Sequence, residues 1–98
     1  MEVRHRSKIL HFIASGDAKA RKLFPAWLHE VEAAEWKTPL DLRRRYPTAD
    51  VLPGNRVVFN IGGNDYRLVA AVDYLRQVVL IRWVGTHRAY DRIDATTV

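Results

Sequence analysis

The hydrophobic period changes once along this chain, and that change restricts the folds open to it. Before the middle, apolar residues recur at helical spacing. Ala20, Leu23, Phe24, Trp27, Leu28, Val31 and Ala34 form one stripe at intervals of three and four, while Lys19, Arg21, Lys22, His29, Glu30, Glu32 and Glu35 lie off it. After the middle the period becomes that of a strand. Val57, Phe59 and Ile61 alternate with Val58 and Asn60. Gly62-Gly63-Asn64-Asp65 is a tight-turn tetrad leading into Tyr66–Tyr74, and Leu75-Arg76-Gln77 turns the chain again into Val78–Val84. Such short turns predict an antiparallel meander. Helices first and strands second predict an α+β domain, with N-terminal helices packed on one face of a small antiparallel sheet. The 98 residues suffice for one core, so residues 1–98 are read as a single domain.

Local signals mark the ends of these elements. Met1 to Arg4 can form a short edge strand, and a helical pattern starts at Ser7 with Ile9, Leu10, Phe12 and Ile13. Gly16 is a helix stop, and Asp17 is an N-cap for the long apolar stripe. Pro25 inside that stripe leaves three readings open: a helix that starts after it, a kink, or two pieces. Thr38-Pro39-Leu40-Asp41 is a helix start, with Thr38 capping, Pro39 in the first helical position and Asp41 at the positive end of the dipole; Pro47 ends this short helix. Thr86 caps a last helical turn across His87–Asp91.

Charge narrows the partners. Lys and Arg number 16 against 11 Asp and Glu, a net charge of +5, and the pI is near 10.0. A polyanion or an acidic protein is the expected partner, although simple solubility accounts for the excess as well. Cysteine is absent, which excludes disulfides and thiolate-ligated zinc. No two of His5, His11, His29 and His87 are spaced as metal ligands on one element, so no metal and no other cofactor is expected. There is no apolar run of membrane-spanning length, and Met1–Arg6 lacks the apolar stretch of a signal peptide, so a cytoplasmic protein without membrane contact is expected.

Several polar residues stand out. Tyr90 and Asp91 follow His87 at i+3 and i+4, on its own helical face. On spacing alone, the stronger reading is that His87 merely neighbours the cap while Tyr90 fills the core. Arg67 and Arg82 lie inside apolar strands and should point to solvent or into a cleft; they either converge on one phosphate or pair with Asp73 or Asp91. Arg43-Arg44-Arg45 lies among Trp36, Lys37 and Tyr46, a mixture of cations and aromatics that suits RNA bases and phosphates and equally suits an acidic protein segment. Gly62-Gly63 lacks the third glycine and the following helix of a phosphate-binding loop.

The stretch Val57–Val69 containing Asn60-Ile61-Gly62-Gly63-Asn64-Asp65-Tyr66-Arg67, followed by Ile81–Asp94 with Thr86-His87-Arg88-Ala89-Tyr90-Asp91, resembles the HigB toxin family of RelE-like mRNA interferases. Ala34-Glu35-Trp36-Lys37-Thr38-Pro39 and Leu42 resemble that family's mid-chain pattern. The resemblance implies a RelE-like fold and the toxin of a type II toxin–antitoxin module, a ribosome-dependent, metal-independent endoribonuclease acting on mRNA. It implies a helix-turn-helix antitoxin of the HigA type as partner, with operator DNA bound only through that antitoxin. Many members carry a lysine in the turn where this chain has Gly62 or Gly63. If that lysine assists cleavage, Lys37 or an arginine must serve here. The candidate catalytic set is His87 as acid or base, Arg67 and Arg82 on the phosphate, Tyr90 as a stacking or hydrogen-bonding group and Asp91 as an orienting carboxylate. Lys37, Arg43, Arg44, Arg45, Asn60, Asn64 and Tyr66 form the candidate RNA-binding set. The other functional classes are a non-catalytic RNA- or ribosome-binding module and a structural partner of a helix-turn-helix regulator.

Overall fold

The computed structural model describes residues Met1–Val98. The elements run β1 (Glu2–Arg4), α1 (Ser7–Ala14), α2 (Ala18–Ala33), α3 (Pro39–Arg45), β2 (Asp50–Leu52), β3 (Arg56–Ile61), β4 (Tyr66–Asp73), β5 (Val78–Thr86) and α4 (His87–Tyr90). The five strands form one sheet in the order β1-β5-β4-β3-β2. The expected meander is β3-β4-β5, antiparallel throughout.

Two strands complete the sheet beyond the meander. β1 pairs in parallel with Val78–Leu80 of β5, which makes it an edge strand as expected and also the one parallel partner. β2 adds Asp50–Leu52 to the opposite edge, against Arg56–Val58. Its three residues are too short to display an alternating pattern. β5 runs to Thr86, two residues past the apolar run, because Gly85 and Thr86 still pair with Arg67 and Tyr66.

The helices form where their caps predict. Asp17 accepts the Ala20 amide at 2.8 Å and starts α2. Thr38 accepts the Asp41 amide at 3.2 Å and starts α3 with Pro39 in its first turn. Thr86 accepts the Ala89 amide at 3.1 Å and starts α4. Of the readings for Pro25, a helix starting after it and a pair of helices are both excluded, since α2 is continuous through that residue. Pro25 has no N–H for the Arg21 carbonyl, and both residues lie on the exposed side of α2.

The buried face of α2 (Ala20, Phe24, Trp27 and Val31) packs with Ile9 and Leu42 against Val57, Phe59, Ile61, Leu68, Val72, Val79 and Ile81 of the sheet. Trp27 meets Phe59 edge to face at 5.2 Å. Tyr66 also points to this side, beside Phe12 and Phe24. The sheet's second face is not left bare. Val58 and Val69 are covered by Ala95, with Trp83, Tyr90, Ile93 and Val98 around them. The C-terminal segment therefore makes a second, smaller core, which the sequence reading did not include. Arg56 secures it by donating to the main-chain oxygens of Ala95 and Val98.

Candidate active site

The second face carries the candidate site at the end of the sheet where β3 turns into β4. Directly paired residues on neighbouring antiparallel strands share a face. Asn60, Arg67 and Gly85 pair across β3, β4 and β5 and so form one row. α4 follows immediately from β5 and sets the Tyr90 ring against Arg67, with His87 and Asp91 on the same helical turn.

Arg67 is the only charged residue in the buried set, at 8% exposure. It points neither freely to solvent nor into the helix-side core. One guanidinium nitrogen donates to Asn64 Oδ1 at 2.6 Å and another to the Tyr66 carbonyl at 3.1 Å. Its carbon lies 6.0 Å from the centre of the Tyr90 ring. No carboxylate pairs with it. A buried cation is costly unless neutralised or fully hydrogen-bonded. This one keeps an unneutralised charge, which suits an incoming anion.

His87 is held from two sides. Its amide donates to the Asp65 carbonyl at 2.9 Å, tying α4 to the turn before β4. Its Nε2 lies 4.0 Å from Asp91 Oδ2. Its Nδ1 is enclosed without a hydrogen-bond partner. The i, i+4 relation to Asp91 is thus realised, and Tyr90 packs on Trp83 at 6.1 Å between centroids as well as facing Arg67. Burial raises the Tyr90 hydroxyl pKa above its usual value; the Asp50 carboxylate pushes the same way and Arg67 opposes them.

Not every candidate residue joins this cluster. Arg82 falls at the irregularity where Val69 pairs with Trp83 and Ala70 with Ile81, so it has no partner residue on β4. Its Nε donates to the Val98 main-chain oxygen at 3.0 Å. It stands three residues, roughly 10 Å of strand, from the Gly85 position opposite Arg67. The expected ion pair is not realised: Asp73 pairs with Arg76 and Asp91 with His87, and Arg82 turns to the Val98 oxygen while Arg67 turns to Asn64 and the Tyr66 carbonyl. Tyr66 is likewise withdrawn from the RNA-binding set. It is buried in the helix-side core, and its hydroxyl donates to Asp17 Oδ1 at 2.6 Å. That bond to a carboxylate, with burial, pushes its pKa up to about 12.

Asn60 and Asn64 stay beside Arg67 in supporting positions. Asn64 holds the guanidinium, and Asn60 Nδ2 donates to the Thr48 carbonyl at 2.8 Å. Lys37 lies elsewhere. It follows Trp36, whose carbonyl accepts from Gln77 at the β4–β5 turn, the opposite end of β4 from Arg67. The arginine run is partly neutralised. Arg44 is 3.6 Å from Asp41, and Arg45 pairs with Glu30 while its guanidinium lies 4.9 Å from the Tyr46 ring centre. Arg43 has no ionic partner.

Asp50 belongs to the neighbourhood although its sequence context did not reveal it. Its register partner is Val58, so it lies on the face of the second core, and its charge acts on Tyr90. The signal is faint: a lone acid before Val51-Leu52 and the turn at Pro53-Gly54. No three histidine, aspartate or glutamate side chains gather in a metal-holding arrangement, and no helix is long and apolar enough to cross a membrane.

Comparison with known proteins bears on the whole arrangement. The model of the HigB toxin family, described as the RelE-like toxic component of a toxin–antitoxin system, matches residues 20–93. The chain belongs to the HigB toxin family. An mRNA interferase toxin HigB of Escherichia coli K12 is 40% identical over 62 residues, and mRNA interferases HigB of Escherichia coli O157:H7 and Shigella flexneri match to the same degree. These alignments span 61% of this chain and 60% of each relative, so the match covers about three fifths of the curated proteins' length. The HigB family match begins within α2 and ends at Ile93. It contains Arg67, His87, Tyr90 and Asp91, together with Asp50 and the Asn64-Asp65 turn. It leaves out β1, α1 and the residues from Asp94 onward that Arg56 and Arg82 grip.

Proposed function

We propose that this HigB-family chain is the toxin of a type II module and a metal-independent endoribonuclease that cuts messenger RNA on the ribosome. The buried Arg67 guanidinium, without a carboxylate partner and facing the Tyr90 ring of the helical turn that also holds His87, carries the reading. A site of this kind takes one phosphodiester. A base removes the proton of the ribose 2′-hydroxyl, and that oxygen attacks the adjacent phosphorus. The bond to the 5′-oxygen breaks, and an acid protonates the departing oxygen. Arg67 balances the charge that builds on the phosphorus-bound oxygens. His87 exchanges the proton, Asp91 orients the imidazole, and Tyr90 stacks on a base or bonds the phosphate. Bound message on the ribosome supplies the alignment that so small a constellation lacks.

The same reading assigns a helix-turn-helix antitoxin of the HigA type as partner, contact with operator DNA through that antitoxin alone, and the cytoplasm as the place of action. The names of the similar proteins support the mRNA substrate, and the net charge of +5 suits RNA and an acidic antitoxin segment alike. The deciding experiment compares ribosome-bound messages that differ by a single 2′-deoxy substitution at the cleaved position. Cleavage of the ribose message and survival of the deoxy one is the expected result. Equal cleavage of both removes the 2′-hydroxyl mechanism. Intact messages alongside tight ribosome binding would leave a non-catalytic binder.

A further inference from the structure

The two groups assigned to the chemistry hang on successive residues of one turn. Asn64 Oδ1 accepts from Arg67 at 2.6 Å, and the Asp65 carbonyl accepts the His87 amide at 2.9 Å. The turn itself rests on α2. Gly62 has φ +68°, and a Cβ there would stand 2.9 Å from Leu23 Cδ1 and 3.4 Å from Lys19 Cε, so the chain passes close over the first turns of α2. At that point Lys19 Nζ reaches the Asp65 carboxylate. It is the one side-chain bond from a helix to residues 62–65.

We infer that Lys19 is a positioning residue: through its ion pair with Asp65 it sets where the Asp65 carbonyl holds His87 and where Asn64 holds Arg67. Both partners are about half exposed, with side-chain exposures of 52% and 51%. An exposed pair contributes little to global stability. Its effect is therefore local, on a turn whose displacement moves the acid–base group and the phosphate-binding cation together. Small misplacements in a site lower the rate far more than they lower stability. The kinetic part of this inference rests on the nuclease reading above; the structural part does not.

The test uses the full chain with Lys19→Ala, Lys19→Arg, Lys19→Asp, Asp65→Lys and the charge-exchanged pair Lys19→Asp with Asp65→Lys. Two quantities are read: the single-turnover rate at saturating ribosome-bound message, and hydrogen exchange of the His87 amide by NMR. Lys19→Ala is expected to lower the rate by about tenfold, consistent with a displaced reacting group, and to speed exchange of the His87 amide. Melting temperature and the half-saturating ribosome concentration should stay near wild type. Lys19→Arg and the charge-exchanged pair should recover both readouts relative to the single reversals. Wild-type values for either readout in Lys19→Ala overturn the inference, as does a charge-exchanged pair no better than its parents. A lowered rate with unchanged His87 exchange means that Lys19 touches the RNA directly, which also overturns it. A wild-type chain that cuts no message defeats the nuclease reading instead, and His87 exchange still decides whether Lys19 positions the turn.

Discussion

At the scale of single residues, the site is a set of polar groups whose partners are unequal. Arg67 has two neutral acceptors and a ring but no carboxylate. His87 has a carboxylate 4.0 Å from one nitrogen and nothing for the other. We expect Arg67→Ala to abolish growth arrest at equal expression while the fold persists, and Arg67→Lys to fail to restore it. A lysine ammonium cannot satisfy Asn64 and the Tyr66 carbonyl with a planar fork while presenting a face to an anion. Full toxicity of Arg67→Ala would remove that residue from the site. His87→Gln should slow single-turnover cleavage by roughly 10²–10⁴-fold, the usual span for a general acid or base, with little change in ribosome affinity. An unchanged rate with an unchanged melting temperature would pass the proton to Tyr90. Arg82 belongs to a different argument, because its Nε holds the Val98 oxygen. Arg82→Ala should lower the melting temperature and retain more cleavage than Arg67→Ala; a variant with the reverse pattern would put Arg82 on the phosphate after all.

At the scale of elements, α2 both covers the sheet and anchors the site turn. Trp27 is 5% exposed and meets Phe59 at 5.2 Å. Trp27→Ala should cost about 3–5 kcal/mol, the usual loss for a large aromatic in a core. Denaturant unfolding measures it, and a loss under about 1 kcal/mol would mean that the site collapses around the gap. The N-terminus of α2 is pH-sensitive through Asp17, which accepts both the Tyr66 hydroxyl and the Ala20 amide. The Tyr66 bond first, then the Ala20 amide, holds the Asp17 carboxyl below its ordinary 3.8. Its contribution is therefore complete above 3.8 and is lost as the pH falls through the lowered folded value. Tyr66 works in the opposite sense. With its folded pKa pushed up to about 12 from 10.0, its contribution is complete below 10.0 and is lost as the pH rises through about 12. The difference in melting temperature between wild type and Asp17→Asn should hold through neutral pH and narrow in acid below 3.8. A difference that stays constant down to pH 2 would show that Asp17 acts there as a neutral cap alone.

For the whole molecule, a net charge of +5 on 98 residues makes partner binding sensitive to salt. Co-expression with a small helix-turn-helix protein encoded beside this chain should restore growth and yield a complex that survives purification at low salt. Failure to co-purify there would weigh against the antitoxin assignment, because screening is weakest under that condition. By itself, the sequence determined what depends on neighbours a few residues apart. The change of hydrophobic period, the caps at Asp17, Thr38 and Thr86, the turn at Gly62–Asp65 and the i, i+4 relation of His87 and Asp91 all involve residues only a few positions apart. The likeness to the HigB family was legible for the same reason, since its motif runs continuously through β4 and from β5 into α4. Only the tertiary structure decided the rest. Parallel pairing of β1, the three-residue β2, the tail over Val58 and Val69, the burial of Arg67 and the diversion of Arg82 depend on which distant segments meet. The bonds that carry the site's frame span 46 residues for Lys19 and Asp65, 49 for Asp17 and Tyr66 and 42 for Arg56 and Val98. Periodicity shows which face of an element is apolar, but the charge a face keeps is set by what packs over it, and that is a property of the folded chain.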